Sequence, residues 1–360
     1  MNTDQLIIKS LEGFWPKNKA KGLLAQGIFN KEIRQSVFGN DALDKIMPGC
    51  WLLSPKESNF YKFRFSFFVH PIVVENTTEI SNPKELLGDK YRPFNAIAEF
   101  LNNAWIGVVY VVASTEDGKL PAKNISEGKY DDIRWNFFLL RNGNFIATNP
   151  EEFFSKWGGG RGRPSHGGEW ETKIKDELLK AGTEVLTAFL LEELFYTGYL
   201  KATLHKSIND PYDVDAYLMS LSQQHIFPME IKEKFPAGDG AGMFFGIDAG
   251  RIMMLLRLCM PNDANGIYLI RELNEEGRFI GWKYITLSDI ILTASWNLQA
   301  GGPGMGGQST QTVKLPYHCF KDFDSSMLSE DGLKKIGNLP EHIKEAALAF
   351  GTEISTRFNT

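Results

Sequence analysis

The sequence predicts an α/β (α+β) fold, a mixed β-sheet core flanked by helices, with an aromatic-rich α+β region ahead of it. Three observations lead there. Strand-like runs, some alternating apolar with polar and some continuously β-branched, recur along the whole chain. Segments with helical spacing fall between those runs and after them. The chain has 360 residues, 43% hydrophobic and 23% charged, which is ordinary globular composition. That length buries a sizeable core without staples and suits two domains, or one large domain with insertions.

Taken in order, Phe60 to Val69 alternates over part of its length as a half-buried strand does, and Asn95 to Asn102 has helical spacing at Ile97, Phe100 and Leu101. Trp105 to Val112 is a continuous apolar, β-branched run, the pattern of a buried strand. Ile133 to Leu140, the turn Arg141-Asn142-Gly143-Asn144, and Phe145 to Ala147 together predict a hairpin with an Asn-Gly turn. Residues 157–168 hold six glycines and a proline, which no regular element tolerates. This loop separates an N-terminal region, 1–157, from a second region, 169–360.

Beyond the loop, Trp170, Ile174, Leu178, Val185, Phe189 and Leu190 follow helical spacing, with Gly182 dividing the stretch into two helices. Two short strands follow, Val214 to Leu218 and Ile226 to Lys232, joined by the polar turn Ser220 to His225. A glycine-rich stretch, Gly238 to Gly246, precedes a helix over Asp248 to Cys259. Gly266 to Leu273 is a strand, and Trp282 to Leu298 is a strand entering a helix at Ser288 or Asp289. A second glycine-rich segment, Gly301 to Thr312, is read as a loop, and Pro340 to Phe350 as a closing helix. The sequence shows no internal repeat.

Several classes are disfavoured. Cys50, Cys259 and Cys319 are odd in number and far apart, which argues against a disulfide framework or a structural zinc site and fits a reducing compartment. The N-terminus carries acid and lacks a long apolar stretch, unlike a signal peptide. No run approaches the ~18 apolar residues of a spanning helix, and the longest, Ile252 to Met260, is interrupted by Arg257. A cytoplasmic protein without a membrane partner is expected. The net charge of −5 neither makes nor breaks a nucleic-acid role, because phosphate contacts depend on local rather than total charge.

The chemistry concentrates in Asp213-Val214-Asp215 and, on the next strand, Glu230-Ile231-Lys232. Alternation puts Glu230 and Lys232 on one face of their strand and Met229 and Ile231 on the other. Antiparallel pairing brings Asp215 beside them. Two carboxylates and an ammonium at one edge are what phosphodiester hydrolysis requires: oxygen ligands for a Mg²⁺ ion and a cation to orient water and offset developing charge. The triplet alone says little, since Glu127-Gly128-Lys129 and Glu171-Thr172-Lys173 share it and an exposed pair of this kind is ordinarily a surface salt bridge. Its distinction is the order of helix, aspartate-bearing strand, Glu-x-Lys strand and helix.

That order resembles the PD-(D/E)XK nuclease superfamily over residues 170 to 275, and within it is most similar to type II restriction endonucleases. The resemblance implies a mixed-sheet nuclease core, Asp215 and Glu230 as metal ligands, Lys232 as the water-orienting group, Mg²⁺ as cofactor and 5′-phosphate products. Val214 stands where the family has proline, and Asp213, following Pro211-Tyr212, is the rival ligand. Members often add a glutamate from the first helix, for which Glu184, Glu192 and Glu193 are candidates.

Two loops carry DNA-binding candidates. Arg161, Arg163 and His166 suit phosphates or a groove. Gln308 or Gln311 can bond adenine edges, while Ser309, Thr310 and Lys314 can touch phosphates. Plain surface or linker loops are the alternative for both. Asp248 and Arg251 are read as a helix cap and an internal ion pair. The expected function is Mg²⁺-dependent, site-specific cleavage of double-stranded DNA by a homodimer, with the N-terminal region serving recognition or dimerisation. The alternatives are a non-catalytic nucleic-acid-binding or defence protein on a nuclease-like scaffold, and a structure-specific repair nuclease.

Overall fold

The computed structural model describes residues 1–360 apart from 16, 30–45, 56–63, 77–82, 160–166, 221–224, 241, 295–298, 304–308 and 359–360. The fold is α+β, with mixed sheets. Two compact units divide the chain, one drawn from 1–32 and 49–213, the other from 33–48 and 214–360.

In the first unit, α1 (Thr3–Phe14) opens on a capping box between Asn2 and Gln5 and is followed by α2 (Lys17–Ile28). Strand β1 (Ile46–Pro55) pairs antiparallel with β2 (Phe65–Val69), with Trp51 opposite Phe67. Helix α3 (Tyr91–Asn103) then carries the chain across to β3 (Gly107–Thr115), which lies parallel to β2. β3 is apolar throughout because both of its faces are covered. Val109 and Val111 join a cluster with Phe154, Trp157 and Phe195, while Tyr110 packs edge-on against Phe94 of α3, 5.3 Å between ring centres. β4 (Arg134–Arg141) and β5 (Asn144–Thr148) extend the sheet as the predicted hairpin. Asn142 and Gly143 both have positive φ, 49° and 71°, the signature of a type I′ turn.

Helices α4 (Thr172–Leu179) and α5 (Thr183–Glu193) are separated at Gly182, whose φ of 89° explains the break. Trp170, Ile174, Leu178, Leu186 and Leu190 pack in one cluster with Ile7, Leu11 and Phe14 of α1. These helices therefore belong to the first unit. The division falls between Asp213 and Val214 rather than at 158–168, because the apolar stripe of the helices is buried against α1. A π-helical stretch, Leu194–Thr203, continues α5, and no spacing in the sequence announced it.

The second unit begins within β6 (Ile208–Met219), which turns back as β7 (Ile226–Lys234) with Ala216 opposite Met229 and Met219 opposite Ile226. β8 (Ala237–Asp239) and β9 (Gly242–Asp248) lead into α6 (Ala249–Cys259), capped by Asp248, whose carboxylate accepts from the Gly250 amide at 2.7 Å. β10 (Ile267–Leu273) runs parallel to β7, and β11 (Phe279–Thr286) returns antiparallel before α7 (Leu287–Thr293). β12 (Gln299–Pro303), β13 (Ser309–Pro316), β14 (Lys321–Asp322) and α8 (Glu341–Phe358) complete the unit.

The segment Gly301 to Thr312, read as a loop, is corrected at its described ends, which lie in β12 and β13, and with the glycine-rich stretch ahead of α6 they form a separate four-stranded sheet in the order β12-β13-β9-β8. The physical reason shows at Gly246, where an added Cβ would lie 2.8 Å from Thr312 Cγ2. Close approach of β9 and β13 leaves no space for a side chain. The C-terminal helix also runs eight residues past Phe350. Among the described residues no helix is long and apolar enough to cross a membrane.

A repetition the sequence did not disclose emerges in the topology. Each unit contains an antiparallel hairpin, a helical crossover to a strand parallel with the second hairpin strand, and two further antiparallel strands: β1-β2-β3-β4-β5 in the first and β6-β7-β10-β11-β14 in the second.

The β4–β5 turn offers a stability test. Gly143→Ala places a side chain at positive φ, and the expected loss is about 1 kcal/mol by chemical denaturation with an unchanged m-value. No loss would show that the turn does not depend on the left-handed backbone.

Candidate active site

The centre of the second unit's polar chemistry is the inner face of β7. Met229 and Ile231 are 0% and 1% exposed, and alternation sends Glu230, Lys232 and Lys234 to the opposite face. Burial of the apolar pair thus fixes which way the charged residues point. The Glu230 side chain is itself only 1% exposed. Its Oε1 lies 2.7 Å from Lys232 Nζ and its Oε2 lies 3.3 Å from Arg251 Nη1. Apart from these ion pairs, both oxygens are buried and accept no hydrogen bond.

Asp215 is the next residue outward from the Ala216–Met229 pair on β6. Its Oδ2 accepts the Ile231 amide at 2.6 Å and stands 3.6 Å from Lys232 Nζ. Two carboxylates therefore lie within 3.6 Å of one ammonium nitrogen, as the strand pattern predicts for Asp215, Glu230 and Lys232. Asp213 is partly exposed and falls in the first unit.

Three neighbours were not assigned to the site from sequence. Arg251 occupies the first turn of α6, where a cation opposes the helix dipole. That misfit is itself a signal that the residue serves something outside the helix. The cap at Asp248 is as expected, while Arg251 reaches Glu230. Tyr268, paired with Glu230 on β10, is 1% exposed and donates to the Gly246 carbonyl at 2.9 Å. Burial, then the Glu230 and Asp215 charges, push its phenol well above the usual tyrosine range, so it is a neutral floor to the site. Lys234 continues the alternation of Glu230 and Lys232. Burial and the adjacent Lys232 ammonium lower its pKa, against an opposing pull from Glu230.

The face thus sets Lys232, Lys234 and Arg251 beside Asp215 and Glu230, with Glu272 brought to the same face by its register with Lys234. A hydrated Mg²⁺ ion is compatible with this donor set. Such an ion uses one or two carboxylates and takes its other ligands from water and substrate, and the Glu230 oxygens lack hydrogen-bond donors. Among the described residues no group of three or more His, Cys, Asp and Glu is placed to hold a metal.

The remaining candidates are placed as follows. Glu184 is exposed, Glu192 half-buried and Glu193 buried on α5, in the first unit, and Glu193 accepts from the Thr197 hydroxyl. Arg161, Arg163, His166 and Gln308 lie outside the described residues. Thr310, Gln311 and Lys314 stand on β13 rather than in a loop. Gln311 pairs in register with Ala300 and is partly exposed. Lys314 forms an ion pair with Asp239 and lies 4.5 Å from the Phe244 ring centre, so its charge ties β13 to β8 and β9.

Arg251→Met tests the electrostatic frame. Glu230 would lose one of its two cations while remaining buried, and a loss on the order of 3 kcal/mol is expected in denaturant unfolding. The double variant Arg251→Met, Glu230→Gln should recover much of it. Equal stability of Arg251→Met and wild type would show that the guanidinium does not support the buried carboxylate.

No protein-family model, no curated protein and no solved structure matches this chain.

Proposed function

We propose that the chain is a Mg²⁺-dependent endonuclease that hydrolyses phosphodiester bonds of double-stranded DNA, a site-specific restriction enzyme of type II. The observation that carries this reading is the convergence of Asp215 and Glu230, from the neighbouring strands β6 and β7, within 3.6 Å of Lys232 Nζ. Support also comes from the order of hairpin, helix and parallel strand, which resembles the PD-(D/E)XK core.

Asp215 and Glu230 would hold the metal. Bound Mg²⁺ supplies Lewis-acid stabilisation of phosphate charge and lowers the pKa of attacking water. Lys232 is partly exposed, with 31% of its side chain open, so its ammonium can turn from the carboxylates to a water or a phosphate oxygen. Held there, it orients the attacking water and stabilises negative charge as the P–O3′ bond breaks, leaving a 5′-phosphate and a 3′-hydroxyl. Arg251, 3.3 Å from Glu230 Oε2, would hold that carboxylate in position without contacting substrate. One such cluster per chain makes a homodimer the natural unit for cutting both strands, and the cytoplasm is the proposed location.

Incubation of plasmid and phage DNA with Mg²⁺ tests the proposal. Discrete fragments are expected, abolished by a chelator and reduced about 10²- to 10³-fold in rate by Lys232→Ala. Preference for branched DNA would indicate a repair nuclease. Binding without cleavage by the wild type would indicate a non-catalytic nucleic-acid-binding protein.

A further inference from the structure

Lys234 is the least explained charge on the β7 face. Its two neighbours there are engaged: Glu230 between Lys232 and Arg251, and Lys232 between Glu230 and Asp215. The next residue, Glu233, points to the other face, where Arg271 Nη1 meets its Oε2 at 2.6 Å. The residue paired in register with Lys234 is Glu272, which is 2% exposed, yet its Oε1 accepts from the Tyr317 hydroxyl at 2.8 Å. Among the described residues, no carboxylate forms an ion pair with Lys234. A half-buried ammonium without a protein counter-ion is costly unless an anion from outside supplies one.

We propose that Lys234 is a phosphate-binding residue that grips a DNA backbone phosphate beside the one held at Lys232. This rests on the nuclease reading and adds to it a division of labour along a single strand. Lys232, paired to the carboxylates, acts at the reacting phosphate. Lys234, two residues and one pleat repeat of ~6.6–6.8 Å farther along, matches the spacing of successive phosphates in a nucleic-acid strand and serves to anchor it. No bond forms or breaks at Lys234. Its contribution is to affinity and to its salt dependence, because each phosphate contact releases condensed counterions.

The test measures binding of full-length protein to a duplex it cleaves, with Ca²⁺ in place of Mg²⁺, over a range of salt concentrations. Cleavage at saturating enzyme is followed in parallel with Mg²⁺. Lys234→Gln should weaken binding about tenfold at moderate salt and reduce the slope of log K against log salt by about one. Its saturated cleavage rate should stay within a few-fold of wild type, and Lys234→Arg should retain both affinity and slope. Lys232→Ala should show the reverse pattern, slow cleavage with nearly unchanged binding. Thermal melts confirm that the Gln variant is folded. Unchanged affinity and slope in Lys234→Gln would overturn the assignment while leaving the nuclease reading intact, as would a rate loss without a binding loss. Failure of the wild-type protein to bind or cut DNA would overturn both.

Discussion

The polar face of the second unit depends on one buried carboxylate. Glu230 is 1% exposed on a strand whose other face is sealed by Met229 and Ile231, and its two oxygens are met by Lys232 and Arg251. Each partner comes from a different source. Lys232 arrives by alternation along the same strand, whereas Arg251 arrives because the Asp248 cap starts α6 at the position that brings its first turn to β7. The hairpin and the following helix are thus tied together electrostatically, and Tyr268 closes the site from below on β10.

Much of this was legible in the chain. Asp215, Glu230 and Lys232 could be placed because period-two alternation is a strong constraint once one face is apolar. The Asn142-Gly143 turn and the break at Gly182 were legible for a related reason, since glycine chemistry is read directly from its position. Arg251 was read as an internal partner within its helix, and its reach to Glu230 was not foreseen. A charge three residues from a cap has an obvious local explanation, and only tertiary structure shows that the longer reach to Glu230 prevails. Lys234 was readable by the same alternation that found Lys232, but no motif draws attention to it.

The errors share a cause. Gly301 to Thr312 was taken for a loop because glycine lowers strand propensity when a segment is considered alone. In a sheet where β9 and β13 come so close that Gly246 has no space for a Cβ, glycine is the residue that permits pairing. The domain boundary was misplaced for a similar reason. A run of glycines marks a change in local structure, but compact units are defined by burial, and Trp170, Ile174 and Leu178 bury their stripe against α1.

The ladders on both sides of β7 have one more implication. A strand's two faces exchange whenever its register moves by a single residue, so a slip here would drive Glu230 and Lys232 into hydrocarbon and turn Met229 and Ile231 toward Arg251 and Tyr268. Pairing with β6 on one edge and β10 on the other makes such an error cost two ladders at once. The apolar half of this strand acts as a proofreader for the polar half. Point changes at Met229 or Ile231, remote from any reacting atom, would therefore be felt first as a loss of alignment among the charges behind them.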